Sequence, residues 1–588
     1  MNRKVFIWVH FIIGSANKIE IGARNMKKCY EKNKRKINFI LWGLFLVWFW
    51  FFISKGIDVT DQGFYLTRYK YYFDTEVNVK SFGTFFTDLL GAIIYSIFSS
   101  HQVFLLSVFS WLLYLCSGIV IYHTWNKYVS ENLLILSILI GSFFSMTFTH
   151  IMNYNATSMF IQVMALCCLF KGLEDEKKGK IAISGLLIGL NTFFRLPNIL
   201  EACFGLAVFW YYIPGKKKIK EGFQACCAFL GGVFGGWSIG GITAIAILGK
   251  ESVLSYLLRT TNTLQGNETS HGAGNILSKL YMGGIEGIKD WIRYGYILIP
   301  LLILWFIYES KRDESKIQEK RRVYLGVNYI IVGYAIYVGM KVEVLRFLQM
   351  FGIFMIVLLM FGIVYFYKKK VVLSSLCMAA LLAECVLPIG TDNGWMYFLL
   401  FMMFPFSCCF IIAGNIETKK LKKVVCILVA GIAGLTICQG IQYGTTYVYR
   451  DSENKFLTQK VQAKEYGFIH TSKERAQYID ELERELDSLD DKYLLALGDF
   501  NIGCVISDMK PYLDKVWVDL ESYPEEQFNI DLEKSLKEEG EPVILLADID
   551  KNGVYRSQEK YDKMIELIEQ RNYKLHYDNG WYRIFVPD

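Results

Sequence analysis

The sequence lacks the cysteine and histidine patterns by which metal sites and disulfide frameworks are recognised. No Cys-x-x-Cys or His-Glu-x-x-His spacing occurs, so neither a structural nor a catalytic zinc is predicted. Nearly all of the 14 cysteines lie in or beside apolar runs, and only Cys504 lies in the polar C-terminal part. We therefore expect small buried thiols and no disulfide framework.

Charged residues are also scarce. Of the 588 residues 20% are charged and 53% are hydrophobic, and the mean hydropathy is +0.28. These values exclude an ordinary soluble protein and indicate a membrane protein with many spans. The formal net charge of +7 comes from short basic clusters between apolar runs, a pattern that sets membrane topology. We expect the lipid bilayer as a partner and no nucleic acid.

The apolar runs predict about thirteen transmembrane helices, each near the length of about 17–25 residues that a bilayer requires, or slightly shorter. Basic clusters occupy alternate loops, and the positive-inside bias places these loops in the cytoplasm together with the N-terminus. The C-terminus then lies outside. The predicted spans are 38–54, 103–124, 133–149, 156–170, 181–195, 199–213, 222–248, 295–308, 323–340, 348–367, 371–388, 395–413 and 424–443.

The stretch Phe82–Ser99 is apolar enough to span, but a crossing here would move every later basic cluster outside. We expect it to lie along the outer surface, or to dip in and return. Residues 1–36 then form a cytoplasmic or interfacial segment. Residues 37–443 form the transmembrane domain, whose first external loop is 55–101.

Beyond Tyr443 the chain becomes charged and periodic, which predicts a small extracytoplasmic α/β domain at 444–588. The predicted fold class is mainly α, a polytopic membrane helical bundle with this C-terminal domain. Gly498–Asn501 is expected to be a turn, since no glycine-rich phosphate loop follows the first strand. The predicted helices are Ser472–Leu489, Pro524–Glu538 and Lys560–Gln570, and the predicted strands are Tyr493–Leu497, Val516–Leu520, Pro542–Leu546, Tyr573–Tyr577 and Trp581–Val586.

The stretch Asp58–Tyr72 leaves the first span with two carboxylates, Asp58 and Asp61, among aromatic side chains. If the segment is helical, their spacing of three puts both on one face. A carboxylate that is partly buried at a membrane surface can act as a base, because burial tunes its proton affinity. An acidic loop inside an interfacial aromatic belt would carry the same residues.

The stretch Thr60–Leu66, TDQGFYL, resembles a motif in the first external loop of GT-C membrane glycosyltransferases related to the lipid A arabinose and protein mannose transferases. Asp61 matches the acidic position of that motif. Tyr154–Asn155 before a span and Phe194–Asn198, FRLPN, are similar to further patterns of the same class. The resemblance covers about residues 38–415.

The resemblance implies an enzyme of the plasma membrane that moves a sugar from a polyprenyl-phosphate-linked donor to an extracytoplasmic glycan, lipid or protein. Asp61 would be the general base and Asp58 a second acid. The next position, usually Glu, is Gln62 here, so a role needing two adjacent carboxylates is not carried over. No cofactor is implied with certainty, and a divalent cation shared by the two acids is left open.

Such a reaction also needs cations for the carrier phosphate and polar or aromatic groups around the sugar. Snorkelling would equally explain an arginine at a span end, and helix capping would explain polar residues there. The candidates for phosphate binding are Arg195, Arg346, Lys341 and Arg68, and those for the sugar or acceptor pocket are Tyr65, His150, Tyr154, Asn155 and Asn198.

Two other functions suit a chain with many spans. A cell-surface polysaccharide polymerase or ligase also has outer-face arginines, but its signature usually lies in a large late loop. Here the acidic motif follows the first span. A lipid or glycan transporter usually shows internal repeats and polar residues at mid-membrane, and neither is evident here.

Reporter fusions after Lys127 and after Lys178 test the predicted topology. Both should report the cytoplasm, because the neighbouring basic clusters are predicted to lie inside. An external signal at both positions would mean that Phe82–Ser99 crosses the membrane, and the expected outer face would then be wrong.

Overall fold

The computed structural model describes residues 20–145, 150–214, 219–265, 273–295, 333, 334, 337, 341–389, 394–520, 523–547 and 557–588. The described chain is mainly helical, as predicted. Within it, six helices are long and apolar enough to cross a membrane, which is the character of a multi-pass membrane protein. The candidate spans are Asn33–Ile53, Gln102–Trp125, Tyr154–Glu174, Ile219–Leu248, Arg346–Phe366 and Lys419–Thr446.

Helices account for most of the described chain before residue 447. They are α1 (Glu20–Ile53), α2 (Asp61–Lys70), α3 (Phe85–Ile97), α4 (Gln102–Trp125), α5 (Glu131–Gly141), α6 (Tyr154–Glu174), α7 (Lys178–Asn191), α8 (Gly205–Tyr212), α9 (Ile219–Leu248), α10 (Lys250–Gln265), α11 (Ala273–Gly295), α12 (Val344–Phe366), α13 (Val371–Val386), α14 (Phe398–Phe401), α15 (Met403–Asn415) and α16 (Lys419–Thr446).

The count of thirteen spans is not confirmed. In the described part of the run 133–149 the helix is α5, which has 11 residues, and the run 395–413 is divided between a 3₁₀ turn, α14 and α15. The predicted spans 295–308 and most of 323–340 lie outside the described residues, as do residues 1–19. From Glu20 onward the N-terminal segment continues without a break into the first span.

The stretch Phe82–Ser99 contains α3, a helix of 13 residues. At 1.5 Å per residue it is roughly 20 Å long, shorter than a hydrocarbon core of about 30 Å. Its first turn is held by the end of the α7 segment, since Phe86 N donates to Phe193 O at 3.0 Å. Thr87 Oγ1 also donates to Phe194 O at 3.1 Å. The start of α3 is thereby fixed against the end of α7.

The stretch Gly249–Tyr294 has a centre rich in glycine and polar residues, Gln265–Asn275 (QGNETSHGAGN). It forms α10 and α11, which flank the glycine-rich centre. Residues 266–272 of that centre lie outside the described part of the chain.

The C-terminal part is an α/β unit. Its helices are α17 (Lys473–Asp487), α18 (Gly503–Ile506), α19 (Glu525–Glu538) and α20 (Gln558–Gln570). Its strands are β1 (Gln459–Lys460), β2 (His470–Thr471), β3 (Tyr493–Leu497), β4 (Lys510–Pro511), β5 (Val543–Ala547), β6 (Lys574–Asp578) and β7 (Tyr582–Val586). Five of these strands form one sheet in the order β4-β3-β5-β7-β6, in which β3 runs parallel to β4 and β5, and β7 runs antiparallel to β5 and β6.

All the C-terminal elements predicted from the sequence are confirmed except the strand Val516–Leu520, which is wrong. Its β-branched, alternating residues favour a strand, but the segment is a turn. The buried ammonium of Lys560 donates to Val518 O and Leu520 O, each at 2.9 Å. These carbonyls therefore bond a side chain instead of a neighbouring strand.

The C-terminal unit shares one hydrophobic core with the segment that follows α1. Buried residues of both parts belong to the same cluster, among them Leu66 and Tyr69 from α2 and Leu497 and Ile502 from the C-terminal unit. The remaining helices form a second large core, which contains Phe45. The segment after α1 is therefore packed between the helical bundle and the sheet.

Inside the bundle, α7 and α9 cross at glycines spaced four apart. A Cβ on Gly185 or Gly189 would lie 2.0 Å or 2.2 Å from a carbonyl oxygen of α9. A Cβ on Gly232 or Gly236 would lie 2.0 Å or 2.4 Å from a carbonyl oxygen of α7. Small residues at this spacing let two membrane helices approach backbone to backbone.

Replacing Gly232 by Ala should destabilise the bundle, because the added methyl group meets the Ala182 carbonyl oxygen. Overpacking of this kind costs about 1–3 kcal/mol. Gly231→Ala is the matched control, since no atom lies within 4 Å of its added Cβ and both sites gain the same helix propensity. Thermal unfolding in detergent should show a lower Tm for Gly232→Ala alone. Equal Tm values would contradict the close crossing.

Candidate active site

Asp58 is buried, with 3% of its surface exposed, and its carboxylate holds the start of α2. Oδ1 accepts from the backbone N–H of Thr60 at 2.9 Å and of Asp61 at 3.2 Å, and Oδ2 accepts from Gln62 N at 3.2 Å. The first turn of a helix has no internal acceptors for its N–H groups, so this carboxylate supplies them. Asp58 is thus not a solvated loop residue.

The proton affinity of Asp58 follows from this burial. Loss of solvation and the charge of Asp61 raise its pKa to about 7, against the opposing effects of Arg450 and of the backbone N–H groups. Two neighbouring carboxylates in a partly dry site therefore differ in their environments, one enclosed and one open.

Asp61 is the open member of the pair. Its side chain is 23% exposed, and Oδ2 accepts from the Tyr449 hydroxyl at 2.6 Å. The Arg450 guanidinium Nε lies 3.6 Å from the same oxygen. Among the described residues no donor contacts Oδ1, so one oxygen of this partly exposed carboxylate is left without a hydrogen bond there. Tyr449 and Arg450 both stabilise its negative charge.

Arg450 is held between two acids in an unusual backbone conformation. Its φ of +51° lies in the left-handed region that non-glycine residues rarely adopt. Its Nη1 lies 3.7 Å from Asp499 Oδ2, and its guanidinium lies 5.8 Å from the centre of the Trp517 ring. Arg475 donates to the Arg450 carbonyl oxygen. Strain of this kind persists where the surroundings over-determine it, often at functional sites.

Asp451, the next residue, anchors this segment to the chain after α1. Its Oδ2 accepts from Ile57 N at 2.9 Å and from Thr471 Oγ1 at 2.5 Å. The side chain of Arg475 lies 3.6 Å from Oδ1. The turn that carries Tyr449 and Arg450 is thereby fixed against the segment that carries Asp61.

The predicted turn Gly498–Asn501 forms the opposite side of the site. Thr60 Oγ1 donates to Asp499 O at 2.8 Å, and Asn501 N donates to Val59 O at 2.8 Å. Gly63 packs directly on this turn, since a Cβ there would lie 2.7 Å from the Asn501 carbonyl carbon. Glycine at this position of the TDQGFYL stretch therefore allows α2 to lie against the C-terminal unit.

Three of the expected pocket residues lie near α2 or the start of α6. The rings of Tyr65 and Tyr154 are 5.8 Å apart, and Tyr65 follows Asp61 by one helical turn on the same face. Asn155 is the second residue of α6, and its buried Oδ1 has no hydrogen-bond partner among the described residues. His150 is buried, with its ring 6.0 Å from that of Phe52.

Arg68 is engaged inside the protein. Its Nε donates to Val79 O at 3.1 Å and its Nη2 forms an ion pair with buried Asp88. Burial raises the pKa of Asp88 to about 6, even though Arg68 opposes the shift. Thr84 Oγ1 also donates to Asp88, at 2.8 Å. Arg68 therefore ties α2 to α3.

Arg195 is likewise buried, with 3% of its surface exposed. It donates to Asn198 Oδ1 at 3.2 Å and to the carbonyl oxygens of Leu387 and Ile389 at 3.2 Å and 2.9 Å. Asn198 in turn contacts Ser158 Oγ at 2.5 Å. The FRLPN segment thus connects α6 to the end of α13.

The last two predicted cations have exposed side chains. Lys341 is exposed, and Arg346 lies 3.4 Å from Asp290 Oδ1 and 3.6 Å from Glu343 Oε2. No contact joins either cation to Asp61 within the described residues. In the same part of the chain, no group of three His, Cys, Asp or Glu side chains is arranged to hold a metal ion.

Sequence reasoning missed Tyr449 and Arg450. Both lie a few residues beyond the last predicted span, where the only available signal was the charged stretch Arg450–Asp451 directly after an apolar helix. Nothing local connects these residues to a motif almost 400 positions earlier in the chain.

No protein-family model matches the chain, and no curated protein sequence matches it. Among solved structures, it is similar to the Archaeoglobus fulgidus oligosaccharyltransferase tethered with an acceptor peptide. The identity is 11% and the TM-score 0.41, over 94% of this chain and 74% of that one.

It is also similar to ArnT from Cupriavidus metallidurans bound to undecaprenyl phosphate, at 9% identity and a TM-score of 0.35, over 93% of this chain and 97% of that one. At TM-scores below 0.5, neither likeness assigns an activity or a residue role to this chain.

Asp58→Asn removes the titrating group at the start of α2 and keeps one acceptor oxygen. The folded protein holds a proton on Asp58 up to about pH 7, whereas an ordinary Asp loses it above 3.8. The stabilisation from this group is therefore present below about pH 4 and is lost as the pH rises to about 7. We expect the Tm of the variant relative to wild type to rise across that range in detergent.

Asp74→Asn is the control for this measurement. Burial raises the pKa of Asp74, but the hydrogen bond and charge of Lys510 and the backbone N–H groups of Glu76 and Val77 together outweigh burial and lower it. Its contribution is thus lost only as the pH falls below the ordinary range, and its relative Tm should stay level from about pH 5 to pH 7. A level profile for Asp58→Asn as well would show that Asp58 is ionised in the folded protein.

Proposed function

We propose that this chain is an integral-membrane glycosyltransferase of the GT-C type. It transfers a sugar from a polyprenyl-phosphate-linked donor to an extracytoplasmic acceptor, with Asp61 as the general base. The observation that carries the proposal is the fixed but partly open carboxylate of Asp61. This carboxylate lies between a bundle of apolar helices and a polar C-terminal unit, as an enzyme acting at a membrane surface requires.

The chemistry needs one proton acceptor and one leaving group. Asp61 removes the proton of the acceptor hydroxyl while its oxygen attacks the anomeric carbon. The bond from that carbon to the phosphate oxygen breaks, and the carrier phosphate departs with the electron pair. The transition state resembles the oxocarbenium ion of glycoside hydrolysis. Since phosphate is already a stable anion, no separate general acid is required.

Asp61 suits this task because its geometry is set by neighbours. Tyr449 and Arg450 hold Oδ2 and leave Oδ1 for the hydroxyl proton. Pre-organised groups of this kind lower the cost of reaching the reactive geometry. Asp58 acts through α2 by fixing its first turn and is a positioning residue in this proposal.

The other predicted residues take two kinds of role in the proposal. Tyr65, Tyr154 and Asn155 line the side on which the sugar or acceptor binds. Arg346 and Lys341, whose side chains are exposed, are the candidates for the carrier phosphate. The buried Arg68, Arg195, His150 and Asn198 hold the surrounding helices in place.

The topology proposed with this function has a cytoplasmic N-terminus, an external loop 55–101 and about thirteen spans. The C-terminal unit, 444–588, is extracytoplasmic and closes the site beside Asp61. The protein then resides in the plasma membrane, with donor and acceptor meeting at its outer face.

Asp61→Asn should abolish transfer while the protein still folds, because the amide oxygen can accept from Tyr449 but the amide cannot take up a proton. A positioned carboxylate typically contributes about 10²–10⁴-fold in rate. Cells that lack the protein should accumulate a polyprenyl-linked sugar, which wild type clears and Asp61→Asn does not. Binding of undecaprenyl phosphate to the purified variant should be retained.

Glu76→Gln is the matched control, since Glu76 lies in the same loop and forms only partly exposed pairs with Lys492 and Lys510. It should clear the lipid-linked sugar as wild type does. Clearance by Asp61→Asn at the normal rate would overturn the role of Asp61. The absence of any accumulated lipid-linked sugar in cells lacking the protein would overturn the donor class.

A further inference from the structure

A cavity of about 350 Å³ lies where the end of α1 and the start of α4 meet the strand pair β1–β2. The bundle contributes Trp50 and Phe104 to its lining, and the C-terminal unit contributes Lys460, Phe468 and His470. It is separate from the acidic site, and none of the predicted site residues lines it. Its volume is near the lower limit for sites of small organic ligands.

The cavity lies at the level where two candidate spans end. The span Asn33–Ile53 finishes beside it and the span Gln102–Trp125 begins beside it, so the membrane boundary must run close by. The ring of Phe104 lies 6.3 Å from Trp50 and 5.3 Å from Phe468. Trp50 is 55% exposed and Phe468 is 49% exposed, although both are large and aromatic. Aromatic side chains exposed at such a boundary contact lipid headgroups and upper acyl chains.

The polar part of the lining is basic. Lys460 Nζ lies 5.7 Å from the centre of the Phe468 ring, and no acidic partner pairs with it in the described chain. The Nδ1 atom of His470 is buried without a hydrogen-bond partner there. No carboxylate lines the cavity. An anionic group in the cavity would complement the exposed ammonium of Lys460, beside which the partly exposed ring of His470 lines the same wall.

The main chain fixes this arrangement. His470 N donates to Ser54 O at 2.9 Å, and Gly56 N donates to His470 O at 2.8 Å. Strand β2 is thereby joined to the residues that follow α1. The basic groups of the C-terminal unit and the aromatic groups of the bundle consequently face one cavity at a constant separation.

We propose that this cavity binds an anionic phospholipid of the surrounding bilayer. Its phosphodiester contacts Lys460 and His470, and the upper part of an acyl chain lies against Trp50, Phe104 and Phe468. A bound lipid contacts the bundle and the C-terminal unit at once, and so holds the unit close to the membrane surface. The proposal is independent of the reaction at Asp61.

Native mass spectrometry of the full chain, released from nanodiscs of equal dioleoyl-phosphatidylglycerol and dioleoyl-phosphatidylcholine, tests this site. Wild type should retain phosphatidylglycerol in preference. Lys460→Gln should reduce that preference about fivefold, the effect of one basic residue near an anionic lipid surface. Lys464→Gln is the matched control, because Lys464 is also exposed but does not line the cavity, and its replacement removes the same charge. Its preference should equal that of wild type.

Phe468→Ala separates the cavity from a general surface charge. It keeps both basic groups and removes one apolar wall, so retention of both lipids should fall. Inorganic phosphate should not displace the bound lipid, because it lacks the acyl chain that fills the apolar side. Equal losses in Lys460→Gln and Lys464→Gln would overturn the proposal, as would retention of both lipids at the wild-type level by Phe468→Ala. Displacement by phosphate would reduce the site to a simple anion site.

Discussion

Hydrogen bonds between the segment after α1 and a turn near the end of the chain determine the shape of the acidic site. Thr60 donates to the carbonyl oxygen of Asp499, 439 residues later, and Asn501 returns a backbone hydrogen bond to Val59. Because Gly63 leaves room for bare backbone contact, α2 can approach this turn closely. Contacts between residues so far apart in sequence stabilise the fold only after the entropic cost of closing a long loop has been met. Asp61 therefore acquires its surroundings only when the C-terminal unit has docked.

Most of the charged side chains in this region form hydrogen bonds with backbone groups and so fix the main chain. Asp58 bonds the first N–H groups of α2, Arg68 bonds Val79 and pairs with Asp88, and Asp451 bonds Ile57. Burying such groups is costly, and each is retained where several hydrogen bonds compensate. Asp61 differs from them because one oxygen is left open after its neighbours are satisfied. The contrast is the physical basis for separating a candidate base from positioning residues.

The periodicity of the sequence predicted the elements whose conformation depends mainly on neighbouring residues. The helix Lys473–Asp487, with Ser472 as its N-cap, and the buried strands β3 and β5 lie close to where periodicity placed them. The motif around Asp61 was also evident, because its residues adjoin in sequence. Periodicity gave a wrong prediction where tertiary contacts determine the conformation. The predicted strand Val516–Leu520 is a turn, because the carbonyl oxygens of Val518 and Leu520 accept hydrogen bonds from Lys560.

The partners of Asp61 could not be predicted, because Tyr449 is 388 positions away and no local signal records that distance. The same holds for the arginines. Their sequence positions suited phosphate binding and, at a span end, snorkelling equally, whereas the structure buries Arg68 and Arg195 among carbonyl oxygens and a carboxylate. An arginine near a span end is hence ambiguous until its acceptors are known.

The division of charge within the site bears on how a carboxylate there could act as a base. Burial and the charge of Asp61 raise the pKa of Asp58 to about 7, against the opposing effects of Arg450 and the backbone N–H groups. Arg450 and the Tyr449 hydroxyl both lie against Oδ2 of Asp61, the acid whose other oxygen has no donor among the described residues. The two carboxylates therefore have different surroundings, one enclosed by backbone N–H groups and one held by side chains. In the proposed reaction these surroundings give the two acids separate roles, in which Asp58 holds the start of α2 and Asp61 accepts the proton.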